Sequence, residues 1–239
     1  FDSTAVVSGS SSIFQLGWCM LRSYLSYRWV GTQLRSASTD QQDILGSIKR
    51  SIDAGVLSEM EGRAFLLLFL AAGGESTTSL LGSAVRILAD DQALQTTLRE
   101  QPDLIPAFIE EVLRLESPFR FHLRSTPKDT VLGNVPIPSG STVLLFWGAG
   151  NRDPDTFIIR DNFDLTRPRK HITFGRGIHT CIGAPLARLE ALTVLQLLLA
   201  STSRIALDPA DSPQWVNSLQ VRRYQKLPVI LTPRRPGVI

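Results

Sequence analysis

The chain has 239 residues, 43% hydrophobic and 20% charged, with a formal net charge of +3, which is ordinary globular composition and speaks against disorder. Two cysteines, Cys19 and Cys181, are too few for a secreted disulfide framework, so a reducing, cytoplasmic setting is expected. The longest apolar run, Ala64 to Ala72, falls far short of the roughly 20 residues of a spanning helix, and no charged-then-apolar leader opens the chain, so it reads as soluble with no membrane partner.

The predicted elements run as follows. Residues 12–35 form a helix through Ile13, Leu16, Leu21, Leu25 and Leu34, and Cys19 within it reads as a small buried hydrophobe. A helix from Asp40 to Ala54 ends at Gly55. Ser58 and Glu61 are spaced as a capping box for a long helix reaching Leu88. Asp91 to Glu100 is helical and is stopped by Pro102; Asp103 to Glu116 follows and ends at Ser117-Pro118. Residues 119–150 are rich in Val, Thr, Pro and Gly and read as short strands and turns. Asn151 to Thr180 is loop, Ile182 to Leu199 is an apolar helix, and Val221 to Leu231 is strand. The whole, residues 1–239, reads as one mainly α domain, or part of one, with a small β region.

Charge is unevenly placed. From Arg160 on there are twelve Lys or Arg against five Asp or Glu. Such a basic third suits nucleic acid, a membrane surface or an acidic protein. No nucleic-acid motif and no run of five like charges is present, which leaves the acidic protein.

The most informative stretch is Phe174-Gly-Arg-Gly-Ile-His-Thr-Cys-Ile-Gly183. A cysteine at the start of a helix meets unpaired N–H groups and the positive end of the dipole, both of which favour thiolate. Gly177 and Gly183 let backbone approach a flat ligand closely, and Phe174 can shield the sulfur from water. Zinc is a poor reading, because His179 and Cys181 have no second Cys or His pair at zinc spacing, His171 being the only other nearby candidate. A Cys-His nucleophile stays open on the residues alone.

Phe174, Gly177, His179, Cys181 and Gly183 match the haem-binding signature of the cytochromes P450, and Ala184-Pro-Leu-Ala-Arg-Leu-Glu190 continues as in bacterial members. The chain resembles the C-terminal half of that fold, its N-terminal part missing. The resemblance implies haem b as cofactor, with Cys181 as the axial iron ligand, His179 meeting a propionate, and Gly175 beside Phe174, Gly177 and Gly183 in the cofactor loop. A cysteine thiolate pushes electron density onto haem iron, as described for the cytochromes P450 themselves.

Three further constellations take meaning from the resemblance. Glu111 and Arg114 share a helix face and, with Arg167, match the family's buried Glu-Arg-Arg cluster, a structural rather than chemical set. Ala72-Gly73-Gly74-Glu75-Ser76-Thr77 places an acid and alcohols over the distal face of the cofactor, Ala72 and Gly73 facing it, with Glu75, Ser76 and Thr77 as the proton relay. Ser76 stands where threonine is usual and lacks the methyl that restricts its rotamer. Arg124 is expected to reach a propionate; His122 is open between a second propionate donor and a pocket residue. Phe69, Phe119, Phe121 and Leu219, with His122, would line a pocket for an apolar small molecule.

The implied activity is a monooxygenase that inserts one atom of O2 into an apolar small organic substrate. The alternative is a non-catalytic or truncated P450-like binding or scaffold fragment. With no flavin or nicotinamide fingerprint and no iron–sulfur cysteine set, electrons must come from a ferredoxin or flavodoxin. Arg167, Arg169, Lys170, Arg176 and Arg188 are the candidate docking charges.

Overall fold

The computed structural model describes residues 13–168 and 170–234. The expectations for the start of the chain, for the Cys19 side chain and for Arg169 fall outside the described residues. Among the described residues, five α-helices precede the first strand: α1 (Ile13–Ser36), α2 (Ile44–Asp53), α3 (Glu59–Asp90), α4 (Gln92–Glu100) and α5 (Ile105–Leu115). The contacts divide the chain into two compact units, residues 1–75 and 76–239, and α3 runs from one into the other.

In the first unit α2 begins later than its apolar spacing predicts. The Asp43 carboxylate accepts the Gly46 N–H at 2.8 Å and so caps the helix there. Upstream, Ser38 and Asp40 are taken up in a turn, the Ser38 N–H donating to Gln41 Oε1 at 2.9 Å and the Asp40 N–H to Ser38 Oγ at 3.1 Å. The capping box of α3 forms as its spacing predicts: the Ser58 N–H donates to Glu61 Oε2 at 2.8 Å and the Glu61 N–H to Ser58 Oγ at 3.2 Å. Val30, Leu34, Ile48 and Leu66 are the buried centre of this unit, with Phe69 packed against them.

In the second unit the core gathers Leu80, Ala84 and Leu88 of α3, Leu98 of α4, and Ile105, Phe108, Ile109, Val112 and Leu113 of α5. Ala191, Leu195 and Leu199 of α7 (Ala184–Ser201) and Ile205 of β5 (Thr202–Leu207) complete it. The predicted helix from Asp103 opens instead as a 3-10 turn, Pro102–Leu104, before α5 proper. Fully buried Gln95 ties three elements together. Its Nε2 donates to the carbonyls of Leu88 (2.6 Å) and Ile205 (2.7 Å), while its Oε1 accepts the Ile205 N–H (3.0 Å).

Among the described residues the strands form four antiparallel pairs: β1 (His122–Ser125) with β4 (Thr142–Leu145), β2 (Thr130–Leu132) with β3 (Val135–Ile137), β5 with β8 (Val229–Pro233), and β6 (Gln214–Trp215) with β7 (Tyr224–Lys226). The one-turn helix α6 (Trp147–Gly150) follows β4. The mainly α reading with a small β region is thus met; β5, β6 and α6 are additions. Helix α7 passes into β5 with no glycine or proline between them, so no breaker marks that boundary. Both α3 and α7 are long and apolar enough, by length and composition, to cross a membrane. Counting only uninterrupted apolar residues overlooked this, although a core helix passes the same test.

Candidate functional site

The cysteine loop is built by turns. The Gly175 N–H donates to the Ile172 carbonyl at 2.8 Å, and the Cys181 N–H donates to the Phe174 carbonyl at 2.8 Å. Gly175 and Gly177 take positive φ, +69° and +76°, a region closed to most side chains. A Cβ at Gly177 would meet nothing within 4 Å, so conformation rather than crowding demands glycine there. Gly183 is the N-cap of α7, so Cys181 stands two residues before the cap, not within the helix. A Cβ at Gly183 would lie 3.8 Å from the Cys181 sulfur. Cys181 is a free, exposed thiol, flanked by Ile178 and Ile182 at 97% and 83% exposure. An accessible sulfur between two uncovered aliphatic side chains fits a flat, apolar, metal-containing ligand; His179 on the same loop is also exposed. Among the described residues no group of three or more His, Cys, Asp or Glu is placed to hold a metal ion, so a bare-ion site of that kind finds no support.

Two charge clusters tie the segments on either side of this loop to α5. Glu111 accepts from Arg114 Nε at 2.8 Å and Nη2 at 2.7 Å, from Arg167 Nε at 3.2 Å and from the Asp164 N–H at 3.1 Å. Arg114 also donates to the carbonyls of Asn151, Arg160 and Asn162, and Arg167 to that of Ile158. The three predicted residues therefore meet. The second cluster escaped sequence reasoning. Glu110 accepts from Arg188 Nε at 2.6 Å and Nη2 at 2.9 Å, and from His171 Nε2 at 3.0 Å. Burial works against the Glu110 charge, but the hydrogen bonds and charges of Arg188 and His171 outweigh it and bring its pKa to about 2. Asn151 was also missed: its side chain donates to Ser117 Oγ and Thr173 Oγ1, both at 2.8 Å, and accepts the Ile172 N–H at 2.8 Å. Only Glu-Glu adjacency and an Asn opening the loop hinted at these roles.

The pairing of Arg188 corrects the picture of the docking charges. With Arg167 and Arg188 committed to carboxylates, Lys170 and Arg176 are the exposed members of that set among the described residues.

The predicted pocket residues divide between the units. In the second, Phe119 is bridged to Val221, the Arg120 N–H donates to the Gln220 carbonyl at 2.8 Å, and the Arg222 N–H to the Pro118 carbonyl at 2.8 Å. This brings the segment bearing Phe119, Phe121 and His122 beside the loop bearing exposed Leu219. Ser79 Oγ of α3 donates to the Arg222 carbonyl, joining the helix that carries Ser76 and Thr77 to the same loop. The His122 ring lies 5.4 Å from Phe119 and 6.0 Å from Trp147, and its Nδ1 accepts the Trp147 indole N–H at 2.6 Å. Burial, and then the Arg124 charge, push its pKa down. Phe146 packs edge-on against Phe121 at 6.2 Å; neither Trp147 nor Phe146 was anticipated. Arg124 is exposed and donates to the Leu123 carbonyl at 2.8 Å.

In the first unit Phe69 stacks on Phe65 at 6.5 Å. Ala72 and Gly73 are exposed, Glu75 is half-buried, and a Cβ at Gly73 or Gly74 would meet nothing within 4 Å. Ser76 and Thr77 are half-buried where α3 enters the second unit.

A family model described as "Cytochrome P450" matches residues 33–213. The chain is 44% identical over 195 residues to "Cytochrome P450 144" of Mycobacterium tuberculosis, covering 81% of this chain and 44% of that protein. It is 38% identical over 236 residues to the "Beta-dihydromenaquinone-9 omega-hydroxylase" of the same species, covering 98% of this chain and 47% of that one. It thus spans about half the length of the curated relatives it matches. Among solved structures, P450BioI in complex with an acyl carrier protein ligated to hexadec-9Z-enoic acid aligns with a TM-score of 0.83 at 32% identity, covering 93% of this chain and 57% of that one. CYP109E1 from Bacillus megaterium in complex with corticosterone aligns with a TM-score of 0.85 at 29% identity, over 93% and 61%.

Proposed function

Because the chain belongs to the cytochrome P450 family, we propose that it is the C-terminal, cofactor-bearing portion of a haem-thiolate monooxygenase that inserts one oxygen atom from O2 into an apolar small organic substrate. The family's cofactor is haem b ligated by a cysteine thiolate. The observation that carries the reading is the exposed Cys181 thiol, held through its own N–H on the Phe174 carbonyl and flanked by bare Ile178 and Ile182. Bound there, haem would supply the activation of O2.

Cys181 would ligate the iron, with Phe174, Gly175, Gly177 and Gly183 shaping the loop around it; the family resemblance adds Ala72 and Gly73 to the residues that would contact the cofactor. His179 and Arg124 would hold propionates. Glu75 and the hydroxyls of Ser76 and Thr77 would relay protons from solvent, carboxyl to hydroxyl. Phe69, Phe119, Phe121, His122 and Leu219 would present carbon to the substrate. For His122 the indole bond favours the pocket role over the propionate role. The dihydromenaquinone, corticosterone and hexadecenoic acid in the relatives' names support the apolar substrate class.

A ferredoxin or flavodoxin would deliver electrons at the face bearing Lys170 and Arg176. We place the protein in a bacterial cytoplasm: the relatives are bacterial, and a free thiol at the centre needs a reducing compartment. Helix α7 is read as a core helix rather than a span, since it buries Ala191, Leu195 and Leu199 and pairs Arg188 with Glu110.

The test is the absorption spectrum of the reduced, carbon-monoxide-treated protein. Wild type should show the thiolate type and Cys181→Ala should lose it, while Cys19→Ala keeps it. A thiolate spectrum in Cys181→Ala would refute the assignment.

A further inference from the structure

Phe174 has two tasks. Its carbonyl holds the Cys181 N–H at 2.8 Å, and its ring carries the Arg188 guanidinium 4.6 Å from the centroid, a cation–π distance. Arg188 lies in the second turn of α7, which begins at Ala184 just after the cysteine loop. The guanidinium is gripped in bidentate fashion by Glu110, the geometry that best fixes an arginine in space. His171 completes the grip. Its Nδ1 accepts the Thr173 N–H at 3.2 Å, which leaves Nε2 to carry the proton donated to Glu110 at 3.0 Å. Its ring also packs 5.9 Å from that of Phe174.

We infer that Arg188, pinned by Glu110 against the Phe174 ring, is a positioning residue that sets the electrostatic field at the Cys181 sulfur, and that Glu110 and Arg188 act on that sulfur with opposite sign. The inference rests on the reading of Cys181 as the axial ligand.

The pair is asymmetric in burial. The Glu110 side chain is 11% exposed and that of Arg188 41%, so the negative member is the better shielded from water and salt. The Arg188 guanidinium is held above its ordinary pKa, chiefly by hydrogen bonding to Glu110 and by that carboxylate's charge. A cation held against the Phe174 ring, whose own carbonyl holds the Cys181 N–H, favours negative charge near that loop by Coulomb's law. Glu110, of opposite charge, offsets part of that influence. Removing the carboxylate unmasks the cation, and removing the cation leaves the carboxylate.

The experiment uses the full-length, haem-loaded protein and reads the reduction potential of the haem, with the carbon-monoxide spectrum as a check on ligation. Glu110→Gln keeps the side-chain shape and deletes the charge; it should move the potential upward, because an unmasked cation favours the electron-richer reduced state. Arg188→Gln should move it downward. Arg188→Lys, which keeps the charge without the planar fork, should stay close to wild type. Shifts of the same sign in the two glutamine variants, shifts in neither, or a lysine variant displaced as far as Arg188→Gln would overturn the inference. So would loss of haem from all three variants, which would make the cluster a folding clamp. A wild-type protein with no thiolate-type spectrum would instead overturn the Cys181 assignment on which the inference stands.

Discussion

Replacing Glu111 by alanine should be among the most damaging single changes in the chain. Its carboxylate accepts four hydrogen bonds, two from Arg114, one from Arg167 and one from the Asp164 backbone. The Glu111 and Arg114 side chains are 4% and 1% exposed, so water cannot take the missing partner's place. Arg114 would keep the carbonyls of Asn151, Arg160 and Asn162 but lose its counter-charge. Stranding one member of a buried pair costs about 3–5 kcal/mol, against a total of about 5–15 kcal/mol for a domain. With a urea dependence of roughly 2 kcal/mol per molar, the midpoint of equilibrium unfolding should fall by about 2 M. Asp90→Ala is the internal control: it breaks the Arg86–Asp90 pair, whose side chains are 30% and 50% exposed, and should cost less than about 1 kcal/mol. The double change Glu111→Leu with Arg114→Met should lose less than Glu111→Ala, since no charge is left behind. Equal midpoints for Glu111→Ala and Asp90→Ala would refute the reasoning.

The Glu110 carboxyl has a folded pKa of about 2 against an ordinary 4.5, so the unfolded chain binds the proton more readily. Its stabilisation, about 3 kcal/mol, should be complete above pH 4.5 and lost as pH falls toward 2; acid titration of Glu110→Gln should be flatter across that window. Gln95→Leu removes the acceptor of the buried Ile205 N–H and should cost about 1–3 kcal/mol, measured by thermal or urea unfolding. Ser76→Ala in the full-length protein should leave haem binding intact and divert reducing equivalents to peroxide or superoxide; unchanged coupling would pass the role to Thr77. Reversing Lys170 and Arg176 to glutamate should slow ferredoxin-dependent haem reduction and weaken its dependence on salt, and a stopped-flow rate indifferent to both would remove this docking face.

The helices were legible where local signals were strong. Ser58 and Glu61 announced α3, and Asp91 and Pro102 bounded α4, because capping is decided within a few residues. The start of α2 was misplaced because Asp40 and Asp43 are both capping types, and only the turn through Ser38 and Gln41 chooses between them. The Glu111–Arg114–Arg167 set was legible only through the family resemblance: two of its members share a helix turn, but the third comes from a loop with no periodic pattern. Glu110, His171, Asn151 and Trp147 were illegible for the same reason taken further. Each gains its partners from segments 21 to 78 residues distant, and nothing in its immediate neighbours marks it.

One consequence follows from how residues 151–173 are held. Among its described residues the segment has no strand and no helix; beyond its own turns, its shape is imposed by side chains. Arg114 collects the carbonyls of Asn151, Arg160 and Asn162, Arg167 that of Ile158, and Asn151 the Ile172 N–H. Such a loop has nothing to fold against until α5 exists, so it must order late, after the helices of the second unit have condensed. Nor can its middle fray piece by piece, because Arg114 and Arg167, which hold the carbonyls of Ile158, Arg160 and Asn162, share the Glu111 carboxylate. It opens as a single cooperative body, and the loop that carries Cys181 loses its footing at that moment. In native-state hydrogen exchange, the protected amides between 151 and 173 should share one opening free energy, below that of α5.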